Sequence, residues 1–189
     1  MPIIFNLLAQ IKGDIPAYLH TIFPELVRYS ALRDKMGITL LKALYVNIGE
    51  DYANFSIGNF QIKPSFASLV CESEIAAKLK RKGYKIPDKR EYKNSRDYRY
   101  NIVKSLENTR TEFYYIVIFM KICLMKFDLS QMTEKERIEF LASAYNYGFN
   151  HTIDEIREVS KKRYYSTKLI STEDYSYSDI STYWFDHQQ

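Results

Sequence analysis

A chain of 189 residues with 46% hydrophobic and 26% charged residues can bury a core of its own as one domain, and it is too apolar and aromatic for a disordered protein. Twenty-seven Lys and Arg against 23 Asp and Glu leave a formal charge of +4, too modest by itself to mark a nucleic-acid-binding protein. Seventeen Tyr beside only six Gly and five Pro mean few tight turns, which disfavours a many-stranded sandwich and favours a mostly α fold.

Residues 15–48 read as helical, with Ile15, Leu19, Ile22 and Phe23 as one apolar stripe and Leu40, Leu41, Leu44 and Tyr45 as a second. Pro24 breaks or kinks the run between them, because it lacks the N–H an interior turn needs. The stretch around 47–62 carries Gly49 and Gly58 without a long apolar period, and reads as a short irregular or hairpin segment. Pro64 opens a helix over roughly 65–80. From Lys78 to Lys104 eleven Lys or Arg stand against Asp88, Glu91 and Asp97, a local net of +8 that leaves −4 for the rest. This basic, Tyr-rich stretch (78–104) is expected as an exposed excursion leading into the next helix.

Residues 105–127 form a helix that is apolar nearly all round in its second half, the pattern of a buried central helix. Thr133 and Glu136 make a capping-box pattern ahead of Ile138, Phe140, Leu141 and Ala144, and Gly148 supplies the stop. A last helix over about 152–164 turns Ile153, Ile156 and Val159 inward. The polar, Tyr-rich tail from Ser166 has too few aliphatics for a core of its own. The division expected is a helical domain over 1–165 and a C-terminal tail over 166–189.

Cys71 and Cys123 make neither a metal site nor a disulfide framework, and free thiols are the preferred state. His20, His151 and His187 show no paired metal spacing, so neither metal nor organic cofactor is expected. No membrane span is expected, since the most apolar segment, 113–127, is short and interrupted by Lys121 and Lys126. No export signal is visible at the N-terminus.

Three segments stand out together. Phe23-Pro24-Glu25-Leu26 sets an acid directly after an apolar helical stretch; Ser56-Ile57-Gly58-Asn59-Phe60-Gln61-Ile62-Lys63-Pro64 is a polar, glycine-bearing loop; Ala144-Tyr145-Asn146-Tyr147-Gly148 ends a helix. In that order they resemble the lysozyme-like domain of soluble lytic transglycosylases and goose-type lysozymes. That family has a catalytic Glu at a helix end, then a Ser-x-Gly-x-Met-Gln-Ile-x-Pro-x-x-Ala loop, then an Ala-Tyr-Asn-x-Gly segment. The resemblance covers roughly residues 15–157. Leu26 stands where transglycosylases commonly have Ser, and Phe60 where they have Met. The separation of Glu25 from Gly58 is nearer to that of the goose-type enzymes.

The resemblance implies a lysozyme-like helical fold and cleavage of the β-1,4 bond between N-acetylmuramic acid and N-acetylglucosamine. Glu25 is then the general acid and base. The physical requirement is a carboxyl that still holds its proton near neutrality, which an apolar pocket provides by disfavouring the carboxylate. Ile22, Phe23, Leu26 and Val27 flank Glu25; the plain alternative is a surface Glu in the first turn after Pro24. Asp51, just ahead of the loop with Glu50, is the candidate for positioning water in an inverting hydrolysis, or belongs to a solvated turn. Ser56 and Gln61 are expected to hydrogen-bond the substrate, and Gly58 to let the backbone approach the sugar. Tyr145 and Asn146 are expected to line the opposite wall, or simply to pack and to cap their helix. The partners implied are peptidoglycan glycan strands at the cell envelope or outside the cell, with or without a larger secretion or cell-wall machinery. A non-catalytic glycan-binding or assembly protein on the same scaffold is the alternative from a different class. Nucleic acid is not an expected partner.

Overall fold

The computed structural model describes residues 21, 35–51, 53, 55–162, 165–166 and 174–186. They are mostly helical, as the scarcity of turn formers requires. The chain divides into two compact units, Glu25–Ile122 and Met1–Pro24 with Cys123–Gln189, the boundary falling inside one helix.

The unit Glu25–Ile122 holds α1 (Lys35–Asn47), α2 (Pro64–Cys71), α3 (Glu74–Arg81), a 3-10 turn at Lys89–Glu91, α4 (Ser95–Leu106) and the first part of α5 (Thr109–Lys126). Pro64 occupies the first turn of α2, where its missing N–H costs nothing. The single helix expected over 65–80 is two. Ser73 separates them because its hydroxyl donates to the Val70 carbonyl at 2.7 Å and accepts from the Ala76 N–H at 3.1 Å, ending one helix and capping the next.

The basic stretch is less exposed than its charge suggests. Ile86 and Pro87 are buried, and α4, capped by the Asn94 side chain on the Asp97 N–H at 2.8 Å, buries Tyr98, Ile102, Val103 and Leu106. Helical spacing puts those four on one face, with the half-buried Arg99 among them, and leaves Arg96, Asp97 and Lys104 exposed. α4 packs against α1 and α2. From α4, the Arg99 guanidinium donates to the Val46 carbonyl at 2.9 and 3.1 Å and to that of Asn47 at 3.3 Å. These are the carbonyls a helix C-terminus leaves unpaired.

α5 starts later than expected, at Thr109, because the Asn108 side chain accepts from the Arg110 and Thr111 N–H groups at 3.0 and 3.3 Å and breaks the chain away from α4. Its apolar half is the buried centre the pattern requires: Phe113, Tyr115, Ile116, Ile118, Phe119 and Met120 are all at most 1% exposed.

The other unit is built on α6 (Glu134–Tyr147), with α7 (Ile153–Ser160) and α8 (Tyr177–Asp186) packed against it. α6 and α7 begin with complete capping boxes at Thr133/Glu136 and Thr152/Glu155. Gly148 ends α6 with a φ of +131°, its N–H bonded to the Ala144 carbonyl. α7 stops at Ser160 rather than 164, and of its three apolar residues only Ile156 is fully buried.

The segment read as a polar tail contributes to this unit. Tyr165–Ser166 and Asp174–Tyr175 pair antiparallel, and α8 buries Tyr177, Ser178, Ser181 and Thr182. These polar side chains can be buried because their hydroxyls find carbonyls: Ser178 donates to Ser160 at 3.1 Å, Ser181 to Tyr177 at 3.2 Å and Thr182 to Ser178 at 3.1 Å. No helix among the described residues is long and apolar enough to cross a membrane.

Candidate functional site

The Phe55–Ile62 segment alternates. Phe55, Ile57, Phe60 and Ile62 are buried, while Ser56, Gly58, Asn59 and Gln61 are half-buried. Ile57 and Ile62 exchange both backbone hydrogen bonds at 3.0 Å, closing a tight reversal over Gly58–Gln61. An apolar underside thus anchors a polar edge. Tyr45 of α1 meets the Phe55 ring edge-on at 6.4 Å between centroids.

The reversal requires left-handed backbone at both ends, φ +77° at Gly58 and +51° at Gln61. Glycine adopts this freely; a glutamine there costs roughly 1–2 kcal/mol. The Gln61 side chain donates from Nε2 to the Gly58 carbonyl at 2.8 Å, stapling the turn it strains.

The residue that completes this turn comes from α5 and was not singled out from the sequence. Glu112 is 1% exposed. Its Oε1 accepts from the Phe60 N–H at 3.2 Å and its Oε2 from the Asn59 amide at 3.4 Å. The same Asn59 amide donates to the Thr109 hydroxyl at 2.8 Å. A Cβ on Gly58 would overlap the Glu112 carboxyl and stand 2.7 Å from the Leu106 carbonyl oxygen. The space over Gly58, expected to admit a sugar, is therefore filled on that side by protein. Burial pushes the Glu112 carboxyl up to about 7, against the pull of the Phe60 and Asn59 donors.

A signal for Glu112 was present. It is the lone acid of Thr109–Lys126, four residues before Ile116, and so shares that residue's face of the helix. A raised carboxyl is the property asked of a general acid. Glu112 has the property, yet both its oxygens are occupied by the turn and it is closed from solvent, so it reaches no substrate from this position.

The remaining candidates are distributed as follows. Ser56, Gly58 and Gln61 share the turn. Asp51 lies exposed ahead of it, with the Glu50 carbonyl accepting from the Ala53 N–H at 3.3 Å. Glu25 lies outside the described residues. Tyr145 and Asn146 belong to the other unit, in the last turn of α6; Tyr145 is 8% exposed, its ring tilted against Tyr177 at 6.5 Å, and Asn146 is half-buried.

Both cysteines are free thiols. Cys71, in contact with the Tyr115 hydroxyl at 3.7 Å, is pushed up to about 12 by burial, and Cys123 is raised by burial too. Neither offers a thiolate near neutrality. Among the described residues no group of three or more metal-ligating side chains is assembled. Compared with protein-family models, with curated proteins and with solved structures, the chain matches none.

Proposed function

We propose that this chain cleaves peptidoglycan glycan strands at the β-1,4 bond between N-acetylmuramic acid and N-acetylglucosamine, as a lytic transglycosylase of lysozyme-like type. The observation that carries the reading is the Phe55–Ile62 turn, a polar edge of Ser56 and Gln61 on an apolar base closed by backbone hydrogen bonds, in the segment that resembles the family's Ser-x-Gly-x-Met-Gln-Ile loop. Rigid placement of hydrogen-bonding groups is what orienting a glycan demands.

In this reading Glu25 delivers its proton to the glycosidic oxygen as the bond from the muramic C1 breaks. The resulting carboxylate then takes the proton of the sugar's 6-hydroxyl, whose oxygen closes onto C1 as a 1,6-anhydro ring. Ser56 and Gln61 bind the sugar; Tyr145 and Asn146 belong to the third segment, on the other unit. The work takes place at the cell envelope or outside the cell.

Replacing Glu25 by Gln is expected to lower turnover of purified cell wall by about a thousandfold, the usual worth of a general acid, with the circular dichroism spectrum unchanged. Near wild-type turnover in that variant ends the assignment. The exposed position of Asp51 ahead of the turn keeps a hydrolytic muramidase as the second reading. Mass spectrometry separates the two, because an anhydro end lacks one water relative to a reducing end. Binding of the polymer without any product indicates the non-catalytic alternative instead.

A further inference from the structure

A buried carboxyl is an expensive way to hold a loop. A hydrophobic residue on α5 at that position would bury without the desolvation cost, as its neighbours Phe113 and Ile116 do. What the carboxyl supplies that a hydrophobe does not is acceptors, and both are spent on one target. Oε1 meets the Phe60 N–H and Oε2 the Asn59 amide, two consecutive residues at the crown of the Gly58–Gln61 reversal. The bonds span 52 and 53 residues of sequence, so they tie the turn to the central helix rather than to itself. The Gly58 side is blocked by the same carboxyl, which leaves the turn no room to slide toward α5. Asn59 is held a second time, by Thr109 one turn earlier on the helix.

We propose that Glu112 is a positioning residue for the glycan-binding edge: by gripping Asn59 and Phe60 it fixes the backbone from which Ser56 and Gln61 meet the sugar. The proposal rests on the glycan reading above for its substrate. The grip itself does not depend on that reading, and the two fail separately.

The test is Glu112→Gln, which keeps the side chain's shape but turns one acceptor into a donor facing the Phe60 N–H or the Asn59 amide. Two quantities are read on the full chain. Amide hydrogen exchange at Phe60 is expected to quicken at least tenfold, while the Ile116 and Ile118 amides of α5 keep their wild-type protection. On a defined muropeptide polymer KM is expected to rise about tenfold with kcat within twofold, the split that marks lost substrate binding rather than lost chemistry. Unchanged exchange at Phe60, or an unchanged KM, overturns the proposal.

Should Glu112→Gln lose protection throughout α5, Asn59→Ala takes its place. It removes a donor at a half-buried loop position and leaves the helix intact, and it is expected to raise both Phe60 exchange and KM several-fold. No change in either quantity is again fatal. A wild-type chain that neither binds nor cleaves the polymer defeats the glycan reading and the substrate half of this proposal. The exchange measurement then still decides whether Glu112 holds the turn.

Discussion

Two regions of the molecule use a glutamate for the same task at opposite cost. At the starts of α6 and α7, Glu136 and Glu155 accept from the backbone N–H of Thr133 and Thr152 at 2.7 and 2.8 Å. At the Gly58–Gln61 turn, Glu112 accepts from the Phe60 N–H at 3.2 Å. The first two carboxyls are exposed, and their hydrogen bonds hold them below the ordinary range. The third is buried, and desolvation overrides its bonds and raises it. Solvent decides the sign. A carboxylate that keeps its water gains stability from each donor it meets, whereas one that gives up its water is retained at a loss that local architecture does not require.

The sharpest way to break this comparison is to contest the space over Gly58. A methyl there meets the Glu112 carboxyl and the Leu106 carbonyl in a left-handed backbone. Overpacking together with conformational strain puts the expected loss for Gly58→Ala at about 3–4 kcal/mol in urea unfolding. Gly49, with φ +118° and nothing within 4 Å, is the control, since Gly49→Ala carries the backbone strain alone and is expected to lose about 1 kcal/mol. Equal losses at the two glycines would mean that the carboxyl yields freely and grips nothing.

Acidity separates the regions next, at a slightly smaller expected effect. Below the ordinary carboxyl value of 4.5 Glu112 is protonated whether folded or not. Between 4.5 and about 7 the unfolded chain has released that proton and the folded chain has not. Its contribution therefore falls as pH rises through this window, by about 3 kcal/mol in total, and is constant above it. Glu136 and Glu155 act in the reverse direction, with stability present above their unfolded value and lost as pH falls through the lowered folded one. Urea titrations from pH 2 to 8 on wild type and Glu112→Gln measure the difference. The variant is expected to remove the decline between 4.5 and 7 and leave the acid limb in place. A decline that persists in Glu112→Gln assigns it to another group.

The same contrast explains what could be read from the residues alone. Thr133-x-x-Glu136 is a capping box because donor and acceptor lie three residues apart, and any contact that local is written in the pattern. The apolar half of α5 was legible for a similar reason, as was the reversal near Gly58. The role of Glu112 is not legible locally, because its partners lie 52 and 53 residues away and helical periodicity names a face without naming what covers it. Ser73 and Asn108 went unread as helix breaks because the apolar spacing continues across them, while their side chains take the backbone bonds that a continuous helix would need. The segment after Ser166 reads as a tail because it is short of aliphatics. α8 nonetheless packs against α6 and buries serine and threonine side chains whose hydroxyls reach the carbonyls of Ser160 and of α8 itself, a form of burial that hydrophobicity does not register. The candidate site divides along the same line, with Ser56, Gly58 and Gln61 brought into one turn as their spacing suggests and the carboxyl beneath them supplied from far along the chain.

The smallest expected effect tests the inexpensive side of the comparison. In Thr133→Ala the Glu136 N–H loses its side-chain acceptor, now 3.3 Å away, and the Glu136 carboxylate loses the Thr133 hydroxyl at 2.8 Å while keeping the backbone N–H. Solvent reaches both groups and takes over each lost bond, so the cost is expected to be only about 1 kcal/mol. The Glu136 carboxyl should move back toward its ordinary value without passing it, since the backbone bond that lowers it most survives. Carbon-13 titration of Glu136 and urea unfolding measure the two together. A loss comparable to that at Gly58 would show that exposure does not make a gripping carboxylate cheap, and the distinction drawn from Glu112 would go with it.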